Sequence, residues 1–241
     1  MGRPSCGRKV LFSMKLILLA LAILPGILIT WFIYHKDKYQ KEEPRNLILC
    51  FALGMAITLP VISLEKWAMG SGIGAGESTG RTLLASFLII AFSEELVKFG
   101  VLTLVPYRKA YFDEPLDGII YAVAIAMGFA TLENLLYASR YGMETTILRA
   151  FSAVPAHASF AVIMGYFVGQ SKFSERHRRY HLLLGLALPL IIHGTYNFLI
   201  QQEAWDGLIL LAIPLLGLSV YFALRLIRRQ QEESPFKPGE G

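Results

Sequence analysis

The chain has 241 residues, 54% of them hydrophobic and only 17% charged. A mean hydropathy of +0.49 is too apolar for a water-soluble domain of this length. The net charge of +5 is spread over short polar connections, so there is no basic domain on which nucleic-acid binding could rest.

Seven apolar runs are each long enough, at roughly 20 residues, to cross a bilayer as a helix. They lie near 11–34, 47–64, 82–105, 116–139, 147–169, 182–201 and 207–227. The expectation is an all-α, polytopic membrane helix bundle with about seven transmembrane helices. It forms one helical domain over 1–230, followed by a disordered cytoplasmic tail, QEESPFKPGEG, over 231–241.

The first run follows a leader carrying Arg3, Arg8 and Lys9 and is too long for a signal peptide. Met14 is an alternative start that would remove those three charges. The second run contains Cys50, read as buried filler; with Cys6 it makes neither a disulfide framework nor a CxxC pair. Glu65 closes this run. GSGIGAGESTG, 70–80, lacks the GK[ST] of a phosphate loop and reads as a flexible connection.

The third run, SFLIIAFSEELVKFGVLTLV, holds Glu94, Glu95 and Lys98 at its centre. A charge at mid-span costs about 2.5–3.5 kcal/mol, so such residues pair, face a cavity or do chemistry. Glu94 and Lys98 are spaced i, i+4 and Glu95 and Lys98 i, i+3, so either glutamate can reach the ammonium. The other is then free to face a cavity, and the spacing leaves open which one it is. The fourth run carries Glu133 and Asn134 in GFATLENLLYA, with Phe129 one turn before Glu133. The fifth carries His157 in VPAHASF, and the sixth His193 and Asn197, one turn apart, in HGTYNF.

Lys36, Lys38, Lys41, Arg45, Arg108, Lys109, Lys172, Arg176, Arg178 and Arg179 fall on one side of the expected bundle. Lys66, Arg81, Arg140 and Arg149 fall on the other. The richer side is expected to be cytoplasmic, with the N-terminus outside and the C-terminus in the cytoplasm of a cell-membrane protein. Helix rise then puts Glu94, Glu133, His157 and His193 roughly 18, 10, 15 and 13 Å below the outer face. Four successive helices thus bring their polar groups to one layer.

The chemistry that suits such a layer is water activation. Glu94 or Glu95, with Lys98 beside them, can act as a general base. Glu133, His157 and His193 make the His₂Glu ligand set of a catalytic Zn2+ with an open position, although no HExxH motif is present. Without a metal, His193 and Asn197 could donate to a tetrahedral oxyanion. The competing reading is a proton-coupled membrane transporter using the same carboxylates and histidines. It has no inverted repeat to support it.

At these residues the sequence resembles the PrsW family of intramembrane proteases. The resemblance rests on EELVK (94–98), FATLENLLY (129–137), PAHASF (155–160) and HGTYN (193–197), together with FIYHKDKYQKEEP (32–44). It covers most of the chain in the same order. It implies an intramembrane peptidase, expected as a metallopeptidase, that makes the site-one cut in a single-span membrane protein such as an anti-sigma factor. Cleavage would fall on the extracytoplasmic side of the lipid bilayer, in stress signalling. The related clan of CAAX prenyl endopeptidases and bacteriocin-processing proteins uses a double glutamate, FxxxH and HxxxN or HxxxD. Here Phe129 and Glu133 give FxxxE instead, and His157 is an additional histidine.

Overall fold

The computed structural model describes residues 6–73 and 78–238, and their regular structure is entirely helical. The order is α1 (Cys6–Lys36), α2 (Pro44–Gly70), α3 (Thr79–Leu84), a π-helical turn (Ala85–Ala91) and α4 (Phe92–Leu104). A 3₁₀ turn (Pro106–Arg108), α5 (Pro115–Phe151), α6 (Ala153–Phe173) and α7 (Arg178–Gln201) follow. A second 3₁₀ turn (Asp206–Leu211) leads into α8 (Ala212–Glu232).

α5 is the axis of the bundle. From Leu116 to Thr131 every side chain is buried, the pattern of a helix surrounded on all sides. α1, α2 and α6 pack around it. Its contact with α6 is backbone on backbone: a Cβ on Gly118 would lie 2.2 Å from the Gly165 carbonyl oxygen. Small residues permit such close approach where no water-driven force holds helices together. The outer surface keeps Leu28, Ile48, Trp67, Leu88 and Ile213 exposed, as a lipid-facing surface requires.

Among the described residues five stretches are individually long and apolar enough to cross a membrane: Ser13–Lys36, Pro44–Gly70, Pro115–Phe173, Arg178–Gln201 and Gly207–Glu232. Pro115–Phe173 contains both α5 and α6. The run expected at 82–105 is assembled from α3, the π turn and α4, so no single helix occupies it. The expected seven spans therefore do not reappear as seven uninterrupted helices. The π turn is clamped against α7, where a Cβ on Gly194 would meet the Phe87 ring at 2.4 Å. Single π turns of this kind recur beside functional residues, and Glu94 follows three residues after its end.

α5 also departs from the expected end at 139. It is broken at Gly142 (φ 80°, ψ −157°), a conformation that favours glycine. In a straight helix Glu133 and Arg149 would be roughly 24 Å apart; here their side chains touch at 2.7 Å. The limb after Gly142 is therefore folded back on the limb before it.

At the end where α1 finishes and α5 begins, a group of buried acids forms a cap. Pro115 opens α5, and Glu114 and Asp117 close a reciprocal capping box. Asp37 accepts hydrogen bonds from the amides of Gln40 and Glu42 at 3.3 and 3.2 Å. Tyr121 donates its hydroxyl to Glu42, and Ser234 donates to Glu114. Burial pushes the carboxyls of Asp37 and Glu42 up, and that of Glu114 up to about 7, with Asp37, Asp113 and Glu42 adding repulsion. Part of the stretch expected as a disordered tail is thus placed: α8 runs to Glu232, Gln231 donates to the Lys36 carbonyl, and Ser234 is buried. Leader residue Arg3, part of the 70–80 connection and residues 239–241 lie outside the described residues.

Candidate active site

α4, α5, α6 and α7 bring their polar residues to one buried cluster. Glu94, Glu95, Lys98, Asn134, His157 and His193 are each at most 5% exposed, and Glu133 is 8% exposed. Lys98 Nζ donates to Glu94 Oε2 at 2.8 Å and to Glu95 Oε1 at 2.9 Å, so the ammonium pairs with both glutamates rather than choosing one. It also lies 3.2 Å from His157 Nδ1 and 4.3 Å over the Phe129 ring. His193 Nδ1 lies 2.9 Å from Glu95 Oε1.

These contacts assign the imidazole tautomers. An ammonium has only donors, so His157 Nδ1 accepts from Lys98. His157 Nε2 therefore carries the proton and donates to Glu133 Oε2 at 3.2 Å. A carboxylate that holds one ring nitrogen, so that the lone pair of the other is turned into the cluster, is how a metal-binding histidine is oriented. His193 is held in the same way through Nδ1 by Glu95, and its ring stacks on Phe160 at 5.2 Å. The two histidine rings meet edge to face at 5.3 Å.

Glu133 is also paired with Arg149, whose guanidinium lies 2.7 Å from the same oxygen, Oε2. Arg149 Nε also donates to Asn134 Oδ1 at 2.8 Å, and the guanidinium covers the Tyr137 ring at 3.9 Å. Arg149 reaches this position because the chain folds back after Gly142.

A cavity of about 640 Å³ opens onto the cluster, a volume in the range of small ligand sites. Glu65, Glu94, Glu133, Arg149, His157, His193 and Asn197 line it; Glu95 and Lys98 stand behind. Glu94 is thus the glutamate of the pair that faces the open space. Asn197 is half-buried in the wall, with no hydrogen-bond partner among the described residues. Apolar side chains from the end of α7, the following 3₁₀ turn and the start of α8, Ile200, Ile209, Leu210 and Ile213, form much of the rim.

One donor atom from each of Glu94, Glu95, His157 and His193 lies within 4.8 Å of the others, a mixed carboxylate and imidazole set that suits zinc. Glu133 stands outside this group of four, on the far side of His157. All the expected site residues, Glu94, Glu95, Lys98, Glu133, His157, His193 and Asn197, are brought to this one place.

Two residues are added. In the sequence Arg149 is only one of four cations on the sparser side of the bundle, and nothing in its local sequence distinguishes it. Glu65, at the end of a span, meets the cavity and accepts from Ser93 Oγ at 3.3 Å. Its signal was a carboxylate adjoining an apolar run.

A family model described as PrsW family intramembrane metalloprotease matches residues 42–225. The chain is similar to Protease PrsW of Geobacillus kaustophilus, at 36% identity over 200 residues, 81% of this chain and 87% of that one. It is similar to Protease PrsW of Bacillus subtilis at 33% identity over 213 residues, 88% of this chain and 94% of that one. For Protease PrsW of Clostridioides difficile the values are 34% over 206 residues, 83% and 86%. No solved structure matches the chain.

Proposed function

Since the chain belongs to the PrsW family of intramembrane metalloproteases and is a multi-pass membrane peptidase, we propose that Glu94 is its general base and that the cavity between α4 and α7 receives the scissile peptide. The observation that carries this reading is that Glu94, Glu133, His157, His193 and Asn197 line one cavity, whereas Glu95 lies behind its wall.

Glu94 takes a proton from the attacking water and returns it to the leaving amine. Asn197, whose amide has no partner among the described residues, donates to the oxyanion that forms on the scissile carbonyl. Glu95 sets the orientation of His193, and Glu133, itself held by Arg149, sets that of His157. His157, His193 and Glu95 would hold the metal. A bound zinc would polarise the carbonyl and acidify the attacking water. In this reading Glu133, expected as the third ligand, instead positions His157.

The substrate is a single-span membrane protein, with an anti-sigma factor as the specific candidate. The apolar rim suits a polypeptide leaving a membrane-spanning helix. The lysine and arginine bias favours an outer-half site, with the N-terminus outside and the C-terminus in the cytoplasm.

The test is cleavage of a single-span anti-sigma reporter in proteoliposomes. Glu94→Gln should lower turnover by about 10²–10⁴-fold. Full cleavage by this variant would sink the assignment. Proton uptake without cleavage would favour a carrier instead.

A further inference from the structure

We infer that Lys98 is a built-in competitor for the metal position: a tethered cation that a divalent ion must displace before the site is complete. The inference rests on the metallopeptidase reading and concerns how that site is loaded.

The ammonium lies where the ligands converge. Of the four groups that could hold a metal, Lys98 Nζ contacts three: Glu94 at 2.8 Å, Glu95 at 2.9 Å and His157 Nδ1 at 3.2 Å. The His157 lone pair that would face a metal faces this ammonium. Its other nitrogen is tied to Glu133, so the ring has no second lone pair to offer.

The lengths point the same way. Zinc holds its nitrogen and oxygen ligands at about 2.0–2.2 Å. The contacts radiating from Lys98 have hydrogen-bond lengths, and the four donor atoms spread over as much as 4.8 Å. The cage is therefore sized for an ammonium and must contract around a metal.

The two cations also exclude each other. Like charges a few ångströms apart repel strongly where little water screens them. Each lone pair given to the metal is one lost by the lysine. Metal arrival, ammonium departure and contraction of the cage are then a single exchange.

The displaced ammonium has somewhere to go. Nζ already lies 4.3 Å over the face of Phe129, which is fully buried, and an aromatic face accepts a cation. A short swing of the side chain can keep this contact while giving up the carboxylates. The arrangement also accounts for the pairing of Lys98 with both glutamates: without metal, two adjacent buried carboxylates need a counterion, and the chain supplies its own.

The test uses the full-length chain in detergent micelles, titrated with buffered Zn2+. Bound metal is measured by elemental analysis, and thermal unfolding is followed in parallel. Lys98→Met should bind one Zn2+ about tenfold or more tightly than the wild type. Its metal-free form should melt lower than wild type, and Zn2+ should raise its melting temperature by more. Lys98→Arg, which keeps the charge, should bind no more tightly than wild type. Lys98→Gln repeats the comparison if the Met variant does not fold.

Zinc binding by Lys98→Met and Lys98→Gln equal to or weaker than wild type would overturn the inference. So would absence of zinc uptake by both. Reporter cleavage by the wild type is scored separately, so an active enzyme with either result would lose this inference and keep its peptidase assignment.

Discussion

The Arg149 guanidinium lies 2.7 Å from the Glu133 carboxylate, although the two residues belong to opposite limbs of one broken helix. Through this pair the kink at Gly142 is connected to the buried polar cluster. Glu133 holds His157, and Arg149 holds Glu133.

Arg149→Met should therefore damage the site from a distance. Leaving one member of a buried ion pair alone costs about 3–5 kcal/mol, and losing the orientation of a ligand histidine costs about 10–100-fold in activity or metal affinity. Arg149→Lys should recover part of both. Reporter cleavage and zinc content measured on the same preparations check this. A Met variant with normal zinc content and normal turnover would remove Arg149 from the site.

The adjacent glutamates should be separable. Glu94→Gln should keep its zinc and lose turnover, because Glu94 faces the cavity. Glu95→Gln should lose zinc as well, because Glu95 bonds both Lys98 and His193 from behind the wall. Metal analysis beside the cleavage assay gives the two columns to compare. Identical behaviour of the two variants would contradict the division of roles.

Gly118→Ala should destabilise the bundle without touching the cluster. The added methyl would meet the Gly165 carbonyl at 2.2 Å, so α5 and α6 must separate. Overpacking of this kind costs about 1–3 kcal/mol. The expected result is a lower thermal midpoint in detergent with unchanged chemistry in the fraction that remains folded.

The acidic cap should weaken with rising pH. The Glu114 carboxyl is raised from an ordinary value of 4.5 to about 7 in the folded chain. The folded state thus holds its proton where the unfolded state has released it. The stability this contributes is present below pH 4.5 and lost as pH rises through 7. Glu114→Gln should flatten that slope. Hydrogen exchange at the start of α5, followed from pH 5 to 8, should show protection falling in the wild type and nearly constant in the variant.

Much of this was legible in the residues themselves. The cost of a charge in hydrocarbon is paid locally, so Glu94, Glu95, Lys98, Glu133, His157 and His193 stood out wherever they fell in an apolar run. That they meet at one level of the bundle agrees with helix rise along each run, and the all-α, polytopic class follows from the length of the runs. Arg149 was hidden because its partner is reached only after Gly142 turns the helix back, and a reversal of that kind is an outcome of packing. The π turn before Glu94 was equally hidden, since its apolar residues fit an α-helix as well. Sequence alone therefore determined which side chains must be satisfied inside the membrane. Tertiary structure alone decided who satisfies whom: that Glu94 faces the cavity, that Glu95 lies behind it, and that one ammonium serves both. Those choices depend on the rotation and breaks of neighbouring helices, which spacing along one chain does not contain.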